Sequence, residues 1–266
     1  MTIIPLSPLD LALAALLVIA LAALSTVWQL GIARSLLVAA SRMAIQLSLI
    51  GFVLKAIFGS QGFWWVALMA LAMLLIAGRE VGSRQKRRLT GWWGFGIGTG
   101  SMFVSSFAVC ILALTAFIQA DPWYTPQYAI PILGMLLGNT MNGVALSLDR
   151  MLEGAWQQRA VIEQRLMLGE SHHSAIGGIS RDAVRTAMIP IINSMAVAGL
   201  VSLPGMMTGQ ILAGNPPFEA VKYQILIFLL ISAGCGFGML LAVRLATRRI
   251  FDERDRLRLD RLATRK

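Results

Sequence analysis

Seven long apolar runs alternate with short polar stretches along the chain. The runs cover about 8–28, 35–57, 62–78, 92–118, 127–148, 187–213 and 221–244. A helix needs roughly 20 mainly apolar residues to cross a bilayer, and the third run is shorter but very hydrophobic. The pattern predicts an all-α, polytopic membrane protein with about seven transmembrane helices.

Composition agrees with a membrane location. Of the 266 residues, 57% are hydrophobic and 14% are charged, whereas soluble domains average about a quarter charged residues. The basic residues fall in short groups between apolar runs, which argues against nucleic acid as a partner. Membrane lipid is the expected environment of the apolar runs. Cys110 and Cys235 lie inside apolar runs and are typical of packing thiols.

The basic residues also predict the orientation. With the N-terminus outside and the C-terminus inside, only Lys55 and Lys222 of the 23 Lys and Arg lie near the outer face, as the positive-inside rule requires. Interfacial aromatics are expected near membrane surfaces. Five tryptophans fall near ends of the predicted spans: Trp64, Trp65, Trp92, Trp93 and Trp123.

One charged segment, 149–185, interrupts the apolar runs and is expected in the cytoplasm. It carries five arginines and five carboxylates. Helical spacing over Met151–Leu168, a helix stop at Gly169 and a second helix from Ser171 into the sixth run predict a coupling-helix loop for a soluble partner. The domain prediction is a permease domain over 1–247, followed by a charged cytoplasmic tail over 248–266. The pattern of the tail is typical of a solvated or lipid-surface helix, and a plain cytosolic extension is the favoured alternative.

Permeases of ABC importers carry a loosely similar loop, in which a glutamate precedes a glycine by six residues and an isoleucine follows it by ten. Glu163, Gly169 and Ile179 have that spacing, although the two alanines of the importer loop are absent. An ordinary amphipathic helix on the membrane surface is the alternative interpretation. The candidate ATPase-coupling residues are Glu163, Gly169, Ser171, Ile179, Arg181, Asp182 and Arg185.

The sequence excludes several energy sources within the chain. None of the four lysines follows a glycine, so there is no P-loop, and the two histidines are adjacent, so there is no H-E-x-x-H zinc motif. Carboxylates lie at or beyond span ends, which disfavours a proton-coupled carrier. The chain is therefore predicted to be a transport subunit rather than an enzyme. We expect no cofactor of its own, with ATP and Mg bound by a separate ATPase.

Polar and helix-breaking residues inside the apolar runs are candidates for a translocation pathway. Asn139 and Asn142 share a helix face, and Pro204-Gly205 predicts a kink or break in the sixth span. Interhelical hydrogen bonding is the alternative role for the asparagines. No metal ligands can be assigned. The candidate pathway residues are Arg42, Gln46, Asn139, Asn142, Asn193, Pro204, Gly205 and Met206.

Several motifs together resemble the FetB-type permease family, which includes bacterial iron-export permeases and plant aluminium-tolerance permeases. The resemblance covers roughly residues 34 to 250. It is carried by the runs 199–214 and 130–139 with Met141, by Lys222-Tyr-Gln224, by Arg42 with Gln46, and by Leu168-Gly169, Arg181-Asp182 and Ile189-Pro190.

The resemblance implies the membrane subunit of an ABC transporter, paired with a separate ATPase. It also implies iron export in bacteria, whereas a plant relative is associated with a nucleotide sugar. The leading expectation is a homodimeric permease in the bacterial inner membrane that exports iron or another metal. An ABC permease for an organic substrate, a secondary carrier without an ATPase and a non-transporting membrane scaffold remain open.

Overall fold

A computed structural model describes residues 7–60 and 62–264. Residues 1–6 and 265–266, which fall within the two predicted domains, lie outside the described residues, and so does the Lys55 side chain. Helices dominate. They are α1 (Pro8–Val27), α2 (Ala33–Ser60), α3 (Phe63–Ser83), α4 (Trp93–Met102), α5 (Ala108–Leu112), α6 (Pro126–Gln157), α7 (Arg159–Met167), α8 (His172–Val197), α9 (Gly205–Leu212) and α10 (Pro217–Ile250).

Within the described residues, six helical stretches are long and apolar enough to cross a bilayer, which confirms a polytopic, helical membrane protein. A π-helical turn, Phe103–Phe107, joins α4 to α5, and a second one, Ala113–Ile118, continues α5, so that the four together form one of these stretches. The six are Pro8–Val27, Ala33–Gly59, Phe63–Ser83, Trp93–Ile118, Pro126–Gln157 and Pro217–Ile250.

The sixth predicted span, 187–213, is not one continuous helix. Its first part is the end of α8, which begins in the charged segment at His172 and ends at Val197. A turn over 198–204 follows, with Gly199 at a φ of +80° and Pro204 just before α9. The predicted break therefore exists, but it lies immediately before Gly205 rather than at it.

Helix α1 packs on α2 in one of two compact units, which comprises the chain up to Gly62 together with Leu212–Gly214. Ser7 caps α1: its hydroxyl accepts the Asp10 N–H at 3.2 Å, and the Asp10 carboxylate accepts the Ser7 N–H at 2.8 Å. This reciprocal pair satisfies two backbone donors at the helix start. Most large apolar side chains of both helices are exposed, as membrane-facing side chains should be.

The second unit, Phe63–Ile211 with the chain from Asn215 onward, is held together by the packing of α6 on α10. Small residues let these helices approach closely. A Cβ at Gly238 would lie 2.6 Å from Thr140 Cγ2 and 2.8 Å from Ser105 Oγ, and one at Gly143 would lie 3.0 Å from the Met239 sulfur. This glycine face of α10 is therefore filled within the chain.

The charged tail does not form the predicted surface helix. Helix α10 ends at Ile250, Phe251 bridges Leu257, and a 3₁₀ turn over Leu259–Arg261 leads into strand β2 (Leu262–Thr264). Strand β2 pairs antiparallel with β1 (Arg87–Leu89). The tail is thus folded onto the connection between α3 and α4.

Asp252 and Arg261 explain why the tail turns instead of continuing the helix. Asp252 Oδ1 accepts the backbone N–H of Arg256 at 2.9 Å and that of Arg254 at 3.0 Å, an arrangement in which an aspartate side chain competes with helix formation. The Arg256 backbone bond, with the Arg256 guanidinium, holds the pKa of the Asp252 carboxylate below its usual value. Arg261 Nη1 donates to the Arg249 carbonyl at 2.7 Å, which caps the end of α10.

Replacing Gly238 with alanine tests the packing of α6 on α10. Overpacking a tight contact costs about 1–3 kcal/mol, so Gly238→Ala is expected to lower the melting temperature of the detergent-purified protein by several degrees. Gly236→Ala is the matched control, because no described atom lies within 4 Å of a Cβ there. Equal melting temperatures for the two variants would contradict this account of the packing.

Candidate coupling surface and intramembrane cavity

The charged segment begins as a continuation of a membrane-spanning helix. Helix α6 runs without a break from Pro126 to Gln157, past the end of its apolar run near 148. Its extension is buried on one side, with Met151, Leu152 and Ala155 fully covered. The segment is therefore rigidly joined to the bilayer part of the protein.

The connection between α3 and α4 braces this extension. The Lys86 N–H donates to Asp149 Oδ1 at 2.6 Å, and Arg87 Nε donates to Glu153 Oε2 at 2.9 Å. The Arg87 guanidinium carbon also lies 4.0 Å from the centroid of the Trp156 ring, within cation–π range. Both side chains of the Arg87–Glu153 pair are largely buried, at 18% and 27% exposed, so solvent screens the pair less than a surface ion pair.

Helix α7 ends in a tight turn that presents an apolar tip. Gly169 has a φ of +88°, its N–H donates to the Leu166 carbonyl at 3.0 Å, and the Glu170 N–H donates to the Arg165 carbonyl at 3.1 Å. These two bonds form a Schellman motif, which favours glycine at this position. The preceding Met167 and Leu168 are 80% and 83% exposed.

Ser171 begins the next helix, where the sequence predicted a helix start. It is the N-cap of α8, and its hydroxyl accepts the Ser174 N–H at 3.4 Å. Only Glu170 separates the glycine stop from this cap. We define the apolar tip as Met167 and Leu168, held between two helix ends whose backbone geometry is fixed.

A polar cleft of about 610 Å³ opens between α6, α7 and the start of α8. Its lining includes Ile179 and Asp182, two of the predicted coupling residues. Glu163 is exposed on α7 but is not part of the lining. The other charged residues of the lining are Lys86, Asp149, Arg150, Glu153 and Arg165.

Ile179 joins α8 to α6 directly. A Cβ at Gly154 would lie 2.8 Å from Ile179 Cγ2, so the isoleucine methyl group rests on the glycine backbone. Ile179 is therefore a packing contact inside the coupling segment rather than an exposed docking residue.

The remaining predicted coupling residues lie on a different face of α8. Arg181 and Arg185 line a second groove, of about 670 Å³, between α8 and α10, together with Arg244. Asp182 lines the cleft toward α6 and α7. The structure thus divides the predicted set between two surfaces and places Glu163 on neither.

A small cavity of about 130 Å³ lies deeper, between α6, α8 and α10. Asn139 and Asn142 line it, as their shared helix face predicted, and Pro190, Ser194 and Cys235 complete its wall. Asn193 is exposed and lies outside this lining, since Pro190, Ile191 and Ser194 occupy the facing side of α8.

Three other predicted pathway residues do not line this cavity. Pro204, Gly205 and Met206 lie at the start of α9, near the contact where the Met207 N–H donates to Gln224 Oε1 at 3.3 Å. Arg42 and Gln46 are exposed on α2, one helical turn apart, in the other compact unit.

Existing hydrogen bonds determine which amide atoms of Asn139 and Asn142 are available to a ligand in the cavity. Asn139 Nδ2 donates to the Met135 carbonyl of its own helix at 2.8 Å, which leaves its amide oxygen available. Asn142 Oδ1 instead accepts Arg84 Nη1 at 2.6 Å. Asn142 therefore has a structural partner, as the alternative role proposed, but that partner lies in the turn after α3 rather than in a helix.

Several important residues were missed by the sequence reasoning. Arg84 has no individual signal in the sequence, and Cys235 is predicted there only as a packing thiol. The apolar pair Met167-Leu168 directly before the glycine stop was a usable signal, because a glycine-terminated helix in a charged segment rarely needs two large apolar residues at its end. Pairing between Arg84 and Asn142 had no signal, since the residues are 58 positions apart.

No obvious metal cluster exists in the described part of the chain, where no three His, Cys, Asp or Glu side chains are grouped as ligands. His172 and His173 stack with ring centroids 4.0 Å apart. His172 Nδ1 lies 2.6 Å from Asp255 Oδ1. His172, which also stacks on Phe251, therefore helps to hold the tail against the start of α8.

Comparison with known proteins agrees with this architecture. The family model described as "Uncharacterised protein family (UPF0014)" matches residues 8–251. A UPF0014 membrane protein of Synechocystis is 39% identical over 208 residues, which are 77% of this chain and 78% of the relative. No solved structure matches the chain.

Two further relatives carry more specific names. The "Probable iron export permease protein FetB" of Escherichia coli is 31% identical over 257 residues, 93% of each chain. The "Protein ALUMINUM SENSITIVE 3" of Arabidopsis thaliana is 33% identical over 217 residues, 80% of this chain and 77% of the relative. These matches confirm the resemblance found in the sequence, and the chain belongs to the UPF0014 family of multi-pass membrane proteins.

Proposed function

We propose that this chain is the permease subunit of an ABC transporter that exports iron or another metal, driven by a separate ATPase subunit. The apolar tip of Met167 and Leu168 carries the proposal. Exposed apolar residues on a rigid, otherwise charged surface are typical of protein docking sites. The name of the Escherichia coli relative supports transport of iron as the activity.

The geometry of α8 supports mechanical coupling. This helix starts four residues after the tip and runs unbroken to Val197. On the way it passes the contact of Ile179 on Gly154 and reaches Pro190 and Ser194 at the cavity. From His172 to Pro190 the helical rise is about 27 Å. A push by an ATPase on the tip would therefore reach the cavity through one continuous helix.

The remaining parts of the proposal follow from this arrangement. The coupling segment faces the cytoplasm of a bacterial cell, with the chain in the inner membrane and its N-terminus outside, as the distribution of basic residues favours. ATP and Mg bind the partner ATPase. Two copies of this chain form the membrane part of the transporter, so that each contacts one ATPase subunit.

The cavity supports a small cargo. A volume of about 130 Å³ accommodates a metal ion with a few water molecules. The amide oxygen of Asn139 and the sulfur of Cys235 are possible ligands.

An organic anion is the second candidate cargo, and Arg84 favours it. Its guanidinium Nη1 donates a hydrogen bond to Asn142 Oδ1 at 2.6 Å, which places a positive charge beside the cavity. Carboxylates are absent from the described residues that line the cavity, so a bare cation would meet no opposite charge there.

Replacing Leu168 with aspartate tests the docking site. Burying a charge in place of an apolar anchor should weaken binding of the cognate ABC ATPase subunit about 30-fold, measured with both proteins purified in detergent. Ala160→Asp adds the same charge at the other end of α7, where a helix N-terminus tolerates it, and should bind normally.

The same proteins in liposomes distinguish this proposal from a secondary carrier and from a scaffold. The wild-type pair should transport metal only with ATP, and Leu168→Asp should abolish the ATP-driven component. Transport at full rate by the chain alone, or normal ATPase binding by Leu168→Asp, would refute the proposal.

Replacing Gly154 with alanine tests the path from the tip to the cavity. The new methyl group would displace Ile179, and overpacking of about 1–3 kcal/mol is expected to lower ATP-driven transport about tenfold while ATPase binding is retained. Gly178→Ala on the same cleft is the control, because no described atom lies within 4 Å of its Cβ. Equal transport by both variants would place the coupling path elsewhere.

Replacing Asn142 with alanine tests the cavity and its cargo. Loss of the Arg84 bond and of one polar wall is expected to reduce transport about tenfold, since hydrogen bonds to charged groups contribute about 1.5–3 kcal/mol. Asn193→Ala, outside the cavity, should leave transport unchanged. Stimulation of the ATPase by iron and not by nucleotide sugars would favour the metal, and the reverse would favour the organic anion.

A further inference from the structure

A groove of about 640 Å³ lies between the start of α4 and the end of α10, away from the coupling cleft and the cavity. Its wall has an apolar part, formed by Gly96 and Leu245. The ends of the two helices supply Trp92, Trp93, Arg248 and Arg249. Both helices belong to stretches apolar enough to cross a bilayer, so the groove opens where those stretches end.

The order of side chains in the groove matches the depth profile of a membrane surface. Leu245 and Gly96 are one turn closer to the bilayer than the arginines and tryptophans. Trp92 is 83% exposed and Trp93 52% exposed, and tryptophan is enriched at the level of lipid headgroups. The groove therefore runs from an apolar floor to an aromatic and cationic mouth.

The charge at the mouth is one-sided. The Arg249 guanidinium carbon lies 4.4 Å from the Trp93 ring centroid, which fixes that cation in the mouth, and the Arg248 side chain is exposed. No carboxylate is found among the described residues that line the groove. Two positive charges thus face the opening without an opposite charge in its wall.

From this arrangement we propose that the groove binds one anionic glycerophospholipid. The phosphate lies between Arg248 and Arg249, the glycerol region contacts Trp92, and an acyl chain follows Gly96 and Leu245 into the bilayer. A free phosphate ion would use the arginines alone and would gain nothing from the apolar floor. The lipid spans α4 and α10, and so it stabilises the end of α10 against which the tail is folded.

The test uses the full-length protein in nanodiscs that contain phosphatidylcholine with or without phosphatidylglycerol. Native mass spectrometry measures which lipids stay bound when the nanodisc is removed. The wild type should retain phosphatidylglycerol in preference to phosphatidylcholine. Arg248→Gln should weaken retention about fivefold, the contribution expected of one basic residue at an anionic surface.

Two further variants make the result specific. Arg254→Gln removes the same charge from an exposed residue of the tail and should retain phosphatidylglycerol normally, whereas Arg248→Lys keeps the charge and should restore most of the retention. Melting curves in phosphatidylcholine alone check that all variants are folded.

Three results would overturn the proposal. One is normal retention by Arg248→Gln, and another is an equal loss in Arg254→Gln, which would show diffuse attraction to the whole basic surface. The third is displacement of the lipid by inorganic phosphate at matched concentration, which would show a site for the free anion. None of these measurements involves an ATPase, so failure here is separate from failure of the proposed transport function.

Discussion

Close packing of α6 on α10 is the constraint on which the larger compact unit depends. Within a bilayer, helices gain no hydrophobic energy by associating, because lipid is as apolar as their side chains. Stability must come from close contact, and the missing side chains of Gly143 and Gly238 permit it against Met239, Thr140 and Ser105. The cavity and the coupling segment are both built on α6, so their geometry follows from this contact.

Helix α8 lies between two open surfaces of the same unit. One face of the helix contributes Asp182 to the cleft beside α6 and α7, and another contributes Arg181 to the groove beside α10. A helix that separates two open grooves has space on both sides. Under the proposed transport function, that placement would let α8 move as one rigid helix, with Ile179 on Gly154 as its contact with α6.

Hydropathy predicted most of the fold, because helices in a membrane must be apolar and must satisfy their own backbone bonds. It could not predict the turn at 198–204, since apolar loop residues look the same as helical ones. Local chemistry did better: Gly169 follows the end of one helix and Ser171 caps the start of the next, as their residue types favour. The prediction of a helical tail was wrong because the Asp252 side chain accepts the backbone N–H of Arg256 and because β2 pairs with a distant strand.

The stretch 84–87 explains why the end of the apolar run near 148 is not the end of α6. Arg84 bonds Asn142 on the bilayer side of that point, while Arg87 pairs with Glu153 beyond it. These two contacts hold α6 on both sides of the boundary and so stabilise its continuation beyond the apolar run. Strand β1 begins at Arg87 and pairs with β2, so the folded tail supports the stretch 84–87. The tail, the coupling segment and the cavity therefore form one connected structure, although they are far apart in the sequence.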